Sequence, residues 1–104
     1  MAVADTIERH SSQLAALGSP VRLAALRFVV QGDRAGTPVG DIQAKLGVPW
    51  STLSHHLDRL TQAGLLKSRP EGRFILYRAD YQALRTLTNY LWEDCCKGGG
   101  QSCC

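Results

Sequence analysis

Residues 50–66, WSTLSHHLDRLTQAGLL, carry the pattern that decides how this chain folds. Leu53, Leu57 and Leu60 recur at i, i+4 and i+7, which places them on one stripe of a helix. The opposite face carries hydroxyls, imidazoles and an arginine, which can reach base edges and phosphates. We therefore interpret the segment as a DNA-recognition helix, the alternative being an amphipathic helix with an ordinary polar face. The residues that point away from the stripe are Ser51, His55, Asp58 and Arg59, with Thr52 and His56 at its flanks.

Length and composition indicate one globular domain. The chain has 104 residues, 20% of them charged, and a formal net charge of +3, which is compatible with nucleic acid without being diagnostic of it. It contains neither an apolar run of about 18 residues nor a basic-then-apolar start, so we expect no membrane span, no signal peptide and a cytoplasmic location. All four cysteines lie in the last ten residues, whereas a disulfide framework would spread them through the fold.

Glycine, serine and proline divide the first third of the chain into two helices. Residues 4–16 follow a helical pattern, which Gly18 breaks. Ser19 can cap a second helix that has Pro20 in its first position and reaches about Gln31. The residues of this second helix predicted to face the core are Leu23, Leu26 and Val30.

A short third helix leads into the recognition helix. Residues 32–36 are a loop by composition, Thr37 is a candidate N-cap, and Pro38 suits the first position of a helix that extends through Leu46. Residues 47–49, Gly-Val-Pro, then turn the chain. Two short helices joined by a Gly-containing turn are the signature of a helix-turn-helix.

After Gly64, which is expected to end the recognition helix, the hydrophobic period changes to two. Residues 65–69 and 73–78 read as the strands of a β-hairpin, with a turn at residues 70–72. Asp80 is then expected to cap a last helix that runs into the first two cysteines. The basic hairpin residues are Lys67, Arg69, Arg73 and Arg78, and the apolar stripe of the last helix is Leu84, Leu87 and Leu91.

This order predicts a mainly α fold with a small β-hairpin, the winged helix-turn-helix of pattern ααααββα. The hairpin, or wing, can follow phosphates through Lys67, Arg69 and Arg73 while the recognition helix enters the major groove. Because the first and last helices leave apolar stripes uncovered, we expect a homodimer formed through them, with its recognition helices about 34 Å apart. Residues 1–94 would form the DNA-binding and dimerisation domain, and residues 95–104 a cysteine-rich tail.

Several motifs, in this order, resemble the ArsR/SmtB repressors. They are LGSPVRL at residues 17–23, STLSHHL at residues 51–57, Leu60 with Ala63-Gly64-Leu65, and Gly72-Arg73 before Tyr77. The resemblance covers about residues 7–92 and implies a dimeric repressor that releases operator DNA when a metal, metalloid or oxidant reaches an inducer site. It implies DNA contacts by Ser51, Thr52, Ser54, His55 and His56, with Arg73 in the wing.

The sequence departs from the family at two common inducer sites. The best-known arsenic sensors carry Cys-x-Cys before the recognition helix, where this chain reads Val39-Gly40-Asp41. Zinc sensors place histidines and carboxylates along the last helix, whereas this sequence has no histidine after His56. The terminal cysteines are instead similar to those of arsenite-responsive members whose thiols lie at the end of the last helix.

Two vicinal cysteine pairs, Cys95-Cys96 and Cys103-Cys104, flank a glycine hinge. Thiolates are soft ligands that select thiophilic ions. As(III) takes three thiolates in a pyramid, so neighbours could supply two and a cysteine returning across the hinge the third. We therefore predict As(III) as inducer, with Sb(III) and methylarsenite as related ligands. A tetrahedral zinc or cadmium site and thiol oxidation are the alternatives.

Other interpretations of the polar residues are weaker. His55 and His56 are adjacent on a helix and point about 100° apart, so they seldom bind one metal ion. His10 is expected at the surface. An enzyme is not expected, because the sequence has no glycine-rich phosphate loop, nucleophile elbow or carboxylate pair set against a base. The alternative to a DNA-binding repressor is a thiol-based metal-binding or redox protein whose winged helix mediates protein contacts. A DNA affinity that does not change with salt concentration would favour this alternative.

Overall fold

The computed structural model describes residues 2–99, and the side chains of residues 5–99. The predicted winged helix-turn-helix is confirmed, with one short additional strand that completes a three-stranded antiparallel sheet of order β1-β3-β2. The elements in chain order are α1 (Ala2–Leu17), α2 (Pro20–Gln31), β1 (Thr37–Pro38), α3 (Val39–Leu46), α4 (Trp50–Gln62), β2 (Leu66–Glu71), β3 (Phe74–Ala79) and α5 (Tyr81–Trp92).

The core is built around the apolar stripe of α4, as the leucine spacing predicts. Leu53, Leu57 and Leu60 are fully buried. Helices α2 and α3, the start of the hairpin and α5 all contribute side chains to the same cluster. The recognition helix is therefore held rigidly on one face while its other face is left outside. The remaining large buried residues of the cluster are Leu26, Val29, Ile42, Leu65, Leu66 and Leu87.

Helix α2 has the predicted bounds but presents a different face to the core. The hydroxyl of Ser19 caps it, accepting a hydrogen bond from the backbone N–H of Arg22 at 3.4 Å. The prediction that Leu23 and Val30 face the core is wrong, because they are 44% and 37% exposed. The buried residues are Ala25, Leu26 and Val29. The small side chain of Ala25 lets neighbouring helices approach α2 closely. A prediction that considers only large apolar residues overlooks this buried alanine.

The predicted cap at Thr37 is also wrong, because this residue and Pro38 form strand β1. They pair with Tyr77 and Leu76 of β3, and Thr37 is buried. Helix α3 consequently starts one residue later than predicted, with Pro38 in the N-cap position and no side-chain cap. The strand β3 is distant in sequence, and pairing with it gives the backbone polar groups of this segment their hydrogen-bond partners. A side-chain cap on a neighbouring residue is therefore not needed.

Gly64 ends the recognition helix as predicted, in a Schellman arrangement. Its φ of 82° is left-handed, which favours glycine. The N–H of Gly64 donates to the carbonyl of Thr61, and the N–H of Leu65 donates to the carbonyl of Leu60, both at 3.0 Å. The chain then enters β2 with Leu65 and Leu66 already in the core.

The hairpin turn is tighter than predicted. Glu71 pairs with Phe74, so the turn consists only of Gly72 and Arg73, and Pro70 belongs to β2 rather than to the turn. Gly72 has the positive φ, 60°, that two-residue hairpin turns require. Pro70 is tolerated because β2 is an edge strand.

Helix α5 begins as predicted and ends earlier. Asp80 caps it, but the helix stops at Trp92 and does not run into the cysteines. Residues 93–99 form turns, with left-handed φ values at Asp94 and Cys96. Of the predicted stripe, Leu87 is buried whereas Leu91 is 61% exposed.

Among the residues described, no single helix is long and apolar enough to cross a membrane. Residues 5–17 and α2 meet the length and composition test only when taken together, and the two helices are bent by 97° relative to each other.

Replacing Asp80 by alanine is expected to lower the free energy of unfolding by about 1–2 kcal/mol. Its Oδ1 accepts a hydrogen bond from the N–H of Ala83 at 3.0 Å, and its Oδ2 lies 3.6 Å from Nζ of Lys67. The matched control is Lys67→Ala, which removes only the exposed ion pair and should cost less than about 1 kcal/mol. Urea unfolding measures both. Equal losses in the two variants would mean that the cap adds nothing.

Candidate DNA-binding surface and cysteine segment

The exposed face of α4 carries the residues predicted to contact DNA. Burial of the leucine stripe turns Ser51, Thr52, Ser54, His55 and Arg59 outward, and each of them is exposed. His56, at the edge of this face, is half-buried. The structure thus brings all six predicted residues together on one helix, on the side opposite the core.

His56 is held by a residue of another helix. Nη1 of Arg22 in α2 lies 3.2 Å from Nδ1 of His56, and Nε of Arg22 donates to the carbonyl oxygen of Ala16 at 2.6 Å. Partial burial lowers the pKa of His56, and the nearby charges of Arg22 and His55 lower it further. Nothing in the sequence indicated the contact between Arg22 and His56, because the two residues are 34 positions apart.

The lowered pKa of His56 predicts that stability falls as the pH is lowered. The unfolded chain takes up a proton near pH 6.5, whereas the folded chain resists it, so the stabilisation is complete above about 6.5 and is lost as the pH falls toward the folded pKa. Urea unfolding at about pH 7.5 and 5.5 should show a larger loss in the wild type than in His56→Gln. The two proteins differ only at position 56, so the comparison isolates this side chain. Equal losses would contradict the assignment.

The basic residues of the wing lie either on the outer face of the hairpin or in the turn at its tip. Leu66 and Ala79 are buried, so alternation places Lys67 and Arg69 on the outer face of the hairpin. Lys67 pairs with Asp80, and Nη2 of Arg69 lies 3.2 Å from Oε2 of Glu71 and donates to the carbonyl of Ala35. Arg73 is exposed in the turn at the tip. The structure therefore presents Arg73 outward at the tip and engages Lys67 and Arg69 within the protein.

The inner face of the hairpin lies against the recognition helix. Tyr77 of β3 is half-buried there, and its burial raises the pKa of the phenol, with the carboxylate of Asp58 on α4 raising it further. Tyr77 pairs with Ser68 across the hairpin. The hairpin thus lies close to α4, with the phenol of Tyr77 near the carboxylate of Asp58.

The cysteine segment follows α5 directly. Cys95 and Cys96 are exposed, and Cys96 is disulfide-bonded. Cys103 and Cys104 lie outside the described residues, so the predicted set of thiols is not seen together. Within residues 2–99, no group of three or more Cys, His, Asp or Glu is arranged to hold a metal ion. With the disulfide of Cys96 reduced, two adjacent exposed thiolates would supply part of a trithiolate site and would not complete one.

Comparison with known proteins agrees with this geometry. The family described as "Helix-turn-helix domain" matches residues 17–69. A putative arsenical resistance operon repressor, ArsR2, of Halobacterium salinarum is 36% identical over 73 residues, covering 70% of this chain and 60% of that protein. An ArsR-like transcriptional regulator from Rhodococcus superimposes with a TM-score of 0.74 at 26% identity, covering 84% of this chain and 79% of that one. This chain belongs to the ArsR family. It is a transcriptional repressor of ArsR type with a helix-turn-helix, rather than an enzyme.

A further ArsR-type neighbour is described as a homodimer. The winged helix-turn-helix DNA-binding domain of a possible ArsR-family regulator from Mycobacterium bovis superimposes with a TM-score of 0.68 at 26% identity. The match covers 88% of this chain and 84% of that domain.

Within this ArsR-family fold, His10 is not at the surface as predicted but 5% exposed. Its Nδ1 lies 3.1 Å from Oε1 of Gln13, and its ring centroid lies 4.4 Å from that of Tyr90 in α5. Nε2 of Gln13 in turn donates to the carbonyl of Ala63, at the end of the recognition helix, at 3.2 Å. A buried polar pair becomes tolerable when both partners are satisfied. The available signal was the spacing of residues 10, 13 and 17, which share one helical face.

Proposed function

We propose that this ArsR-family chain is a homodimeric, arsenite-responsive repressor of the cytoplasm. The dimer binds an operator through α4 and the wing, and As(III) bound by Cys95, Cys96 and either Cys103 or Cys104 weakens that binding. The observation that carries the proposal is the adjacent exposed pair, Cys95 and Cys96, directly after α5 in a chain whose α4 presents a polar outer face.

The chemistry of the inducer matches these ligands. Arsenous acid, As(OH)3, exchanges three hydroxyls for three thiolates and releases three waters, with each thiol proton leaving on a hydroxyl. Once a dithiol reductant has converted the disulfide of Cys96 to a thiol, two neighbouring thiols on exposed turns can enter first. The third must come from the terminal pair. The name of the Halobacterium relative, an arsenical resistance operon repressor, supports this inducer. Sb(III) and methylarsenite are related ligands, the latter needing only two thiolates.

The proposed dimer would form through the first and last helices. Ile7 and Leu14 of α1, and Leu91 and Trp92 of α5, are large apolar residues between 43% and 63% exposed. A second copy packing on these helices would remove that surface from water, which stabilises association. Since the cysteine segment begins three residues beyond Trp92, inducer binding would act next to this interface.

Fluorescence anisotropy of a labelled fragment of the gene's own promoter tests the proposal. The protein, kept reduced, should bind with an affinity that falls steeply with salt, because phosphate contacts release counterions. Micromolar arsenite should then release the fragment while zinc at the same concentration leaves it bound. Release by zinc or cadmium would assign a divalent soft metal as inducer. A flat salt response would instead favour a thiol protein whose winged helix serves protein contacts.

Replacing Cys95 or Cys96 by serine is expected to leave DNA affinity within about twofold of the wild type and to abolish release by arsenite, because a serine hydroxyl is a poor ligand for a soft ion. The same anisotropy titration measures this effect. Lys97→Gln is the matched control, since it alters the same segment and keeps all four thiols. Release of either serine variant at wild-type arsenite concentrations would place the inducer site elsewhere.

Thiol oxidation is the second candidate, because Cys96 is disulfide-bonded in the structure. Exposed thiols can act as redox sensors when oxidation forms a disulfide. Here peroxide alone would release the promoter fragment, and a dithiol reductant would restore binding. Release by arsenite under strictly reducing conditions would favour the metalloid.

A further inference from the structure

Arg22 connects the start of α2 to the recognition helix through a single imidazole nitrogen. Its Nη1 lies 3.2 Å from Nδ1 of His56. A guanidinium carries only donors, so Nδ1 of His56 must accept this hydrogen bond. His56 is therefore neutral in this arrangement, and its hydrogen lies on Nε2, on the other side of the ring.

Three contacts hold the arginine in place. Its Nε donates to the carbonyl of Ala16 at the end of α1, its backbone N–H donates to the hydroxyl of Ser19, and its Nη1 donates to His56. The Ala16 and His56 contacts use two nitrogens of one rigid plane, so the ring of His56 is oriented relative to the α1–α2 junction. His55, the neighbouring residue of α4, is exposed instead.

We propose that Arg22 sets the tautomer and orientation of His56 so that its Nε2–H donates to an acceptor on operator DNA. This inference rests on the proposed function. Major-groove acceptors of this kind are N7 and O6 of guanine, N7 of adenine and O4 of thymine, and phosphate oxygens also accept. His56 lies at the edge of the exposed face of α4 and retains exposed surface, as such a contact requires. Arg22 is thus a positioning residue outside the two helices of the helix-turn-helix.

The contact itself is tested without DNA, by NMR of the imidazole nitrogens in the full chain. The wild type should show Nδ1 unprotonated and Nε2 protonated, and His56 should titrate below its ordinary range. Partial burial lowers this pKa most, and the charges of Arg22 from α2 and His55 from α4 lower it further. Replacing Arg22 by glutamine should move the titration of His56 upward, toward the ordinary histidine value of about 6.5. Arg27→Gln, an exposed arginine of the same helix, should leave it unchanged. An unchanged titration in Arg22→Gln would overturn the contact.

The role in DNA binding is tested by a double-mutant cycle on the promoter fragment. Arg22→Gln should weaken binding about tenfold, the scale of one base contact, and His56→Ala should weaken it at least as much. Because Arg22 acts through His56, Arg22→Gln should have almost no effect in the His56→Ala background. Equal losses in both backgrounds would overturn the proposal. So would a salt slope reduced by about one in Arg22→Gln, which marks a direct phosphate contact.

Two further outcomes, a variant that does not fold and a protein that does not bind the promoter fragment, can be told apart from a failure of the Arg22 contact. If Arg22→Gln fails to fold, Arg22→Lys replaces it, because lysine keeps the charge but lacks the planar fork that joins Ala16 and His56. The lysine variant should show the same loss of affinity, whereas its retained positive charge should keep the titration of His56 below the ordinary range. If the wild type shows the NMR signature but does not bind the promoter fragment, the proposed function fails and the DNA role of His56 fails with it, while the Arg22 contact stands.

Discussion

Replacing Leu57 by alanine is expected to lower the free energy of unfolding by about 3–5 kcal/mol. Leu57 is fully buried at the centre of the α4 stripe, between Leu53 and Leu60, which are buried to the same degree. Truncation removes apolar area from the core and leaves a cavity that surrounding helices fill only partly. A domain of this size has only about 5–15 kcal/mol in total, so the variant should lose a large fraction of the protein's stability.

Leu23→Ala is the matched control, and it also tests the orientation of α2. Leu23 is 44% exposed, so the same truncation should cost less than about 1.5 kcal/mol. Urea unfolding of the wild type and both variants measures the difference. Comparable losses would mean that α2 presents Leu23 to the core, as its sequence alone suggested.

Replacing Ser51, Thr52 and His55 together by alanine is expected to weaken binding of the promoter fragment by about 100-fold or more. Each contact to a base edge contributes about 1–3 kcal/mol, and about 1.4 kcal/mol corresponds to a factor of ten. All three side chains are exposed on α4, so their loss opens no cavity. Alanine favours the helix, and the free energy of unfolding should therefore stay within about 1 kcal/mol of the wild type.

The control for this triple variant removes a polar group from another helix. Gln31→Ala alters an exposed residue at the end of α2 and should leave affinity within about twofold. Anisotropy at one fixed salt concentration compares the three proteins, since affinities at different salt are not comparable. Wild-type affinity in the triple variant would remove the outer face of α4 from the proposed interface.

Much of the fold could be predicted because its signals are local. The leucine spacing of α4, the cap residues Ser19 and Asp80, and Gly64 at the end of the recognition helix each depend on a few neighbouring residues. Local hydrogen bonds and helical periodicity are dictated by the chain itself. The same periodicity indicated which side of α4 is exposed, because burying one stripe of a helix exposes the opposite one. The choice of contact residues on that side, Ser54 among them, came from the resemblance to the ArsR/SmtB repressors.

What the sequence by itself determined, then, is the order of elements, the buried face of α4 and the presence of two vicinal thiol pairs. Only the tertiary structure decided which face of α2 is buried, that Thr37 pairs with β3, that His10 is enclosed beside Tyr90, and that Arg22 holds His56. Each of these depends on groups that are far apart in sequence, and Arg22 and His56 are separated by 34 positions. Periodicity reports how a residue relates to its own helix, whereas the partner across the fold is chosen by packing and by the need to satisfy buried polar groups.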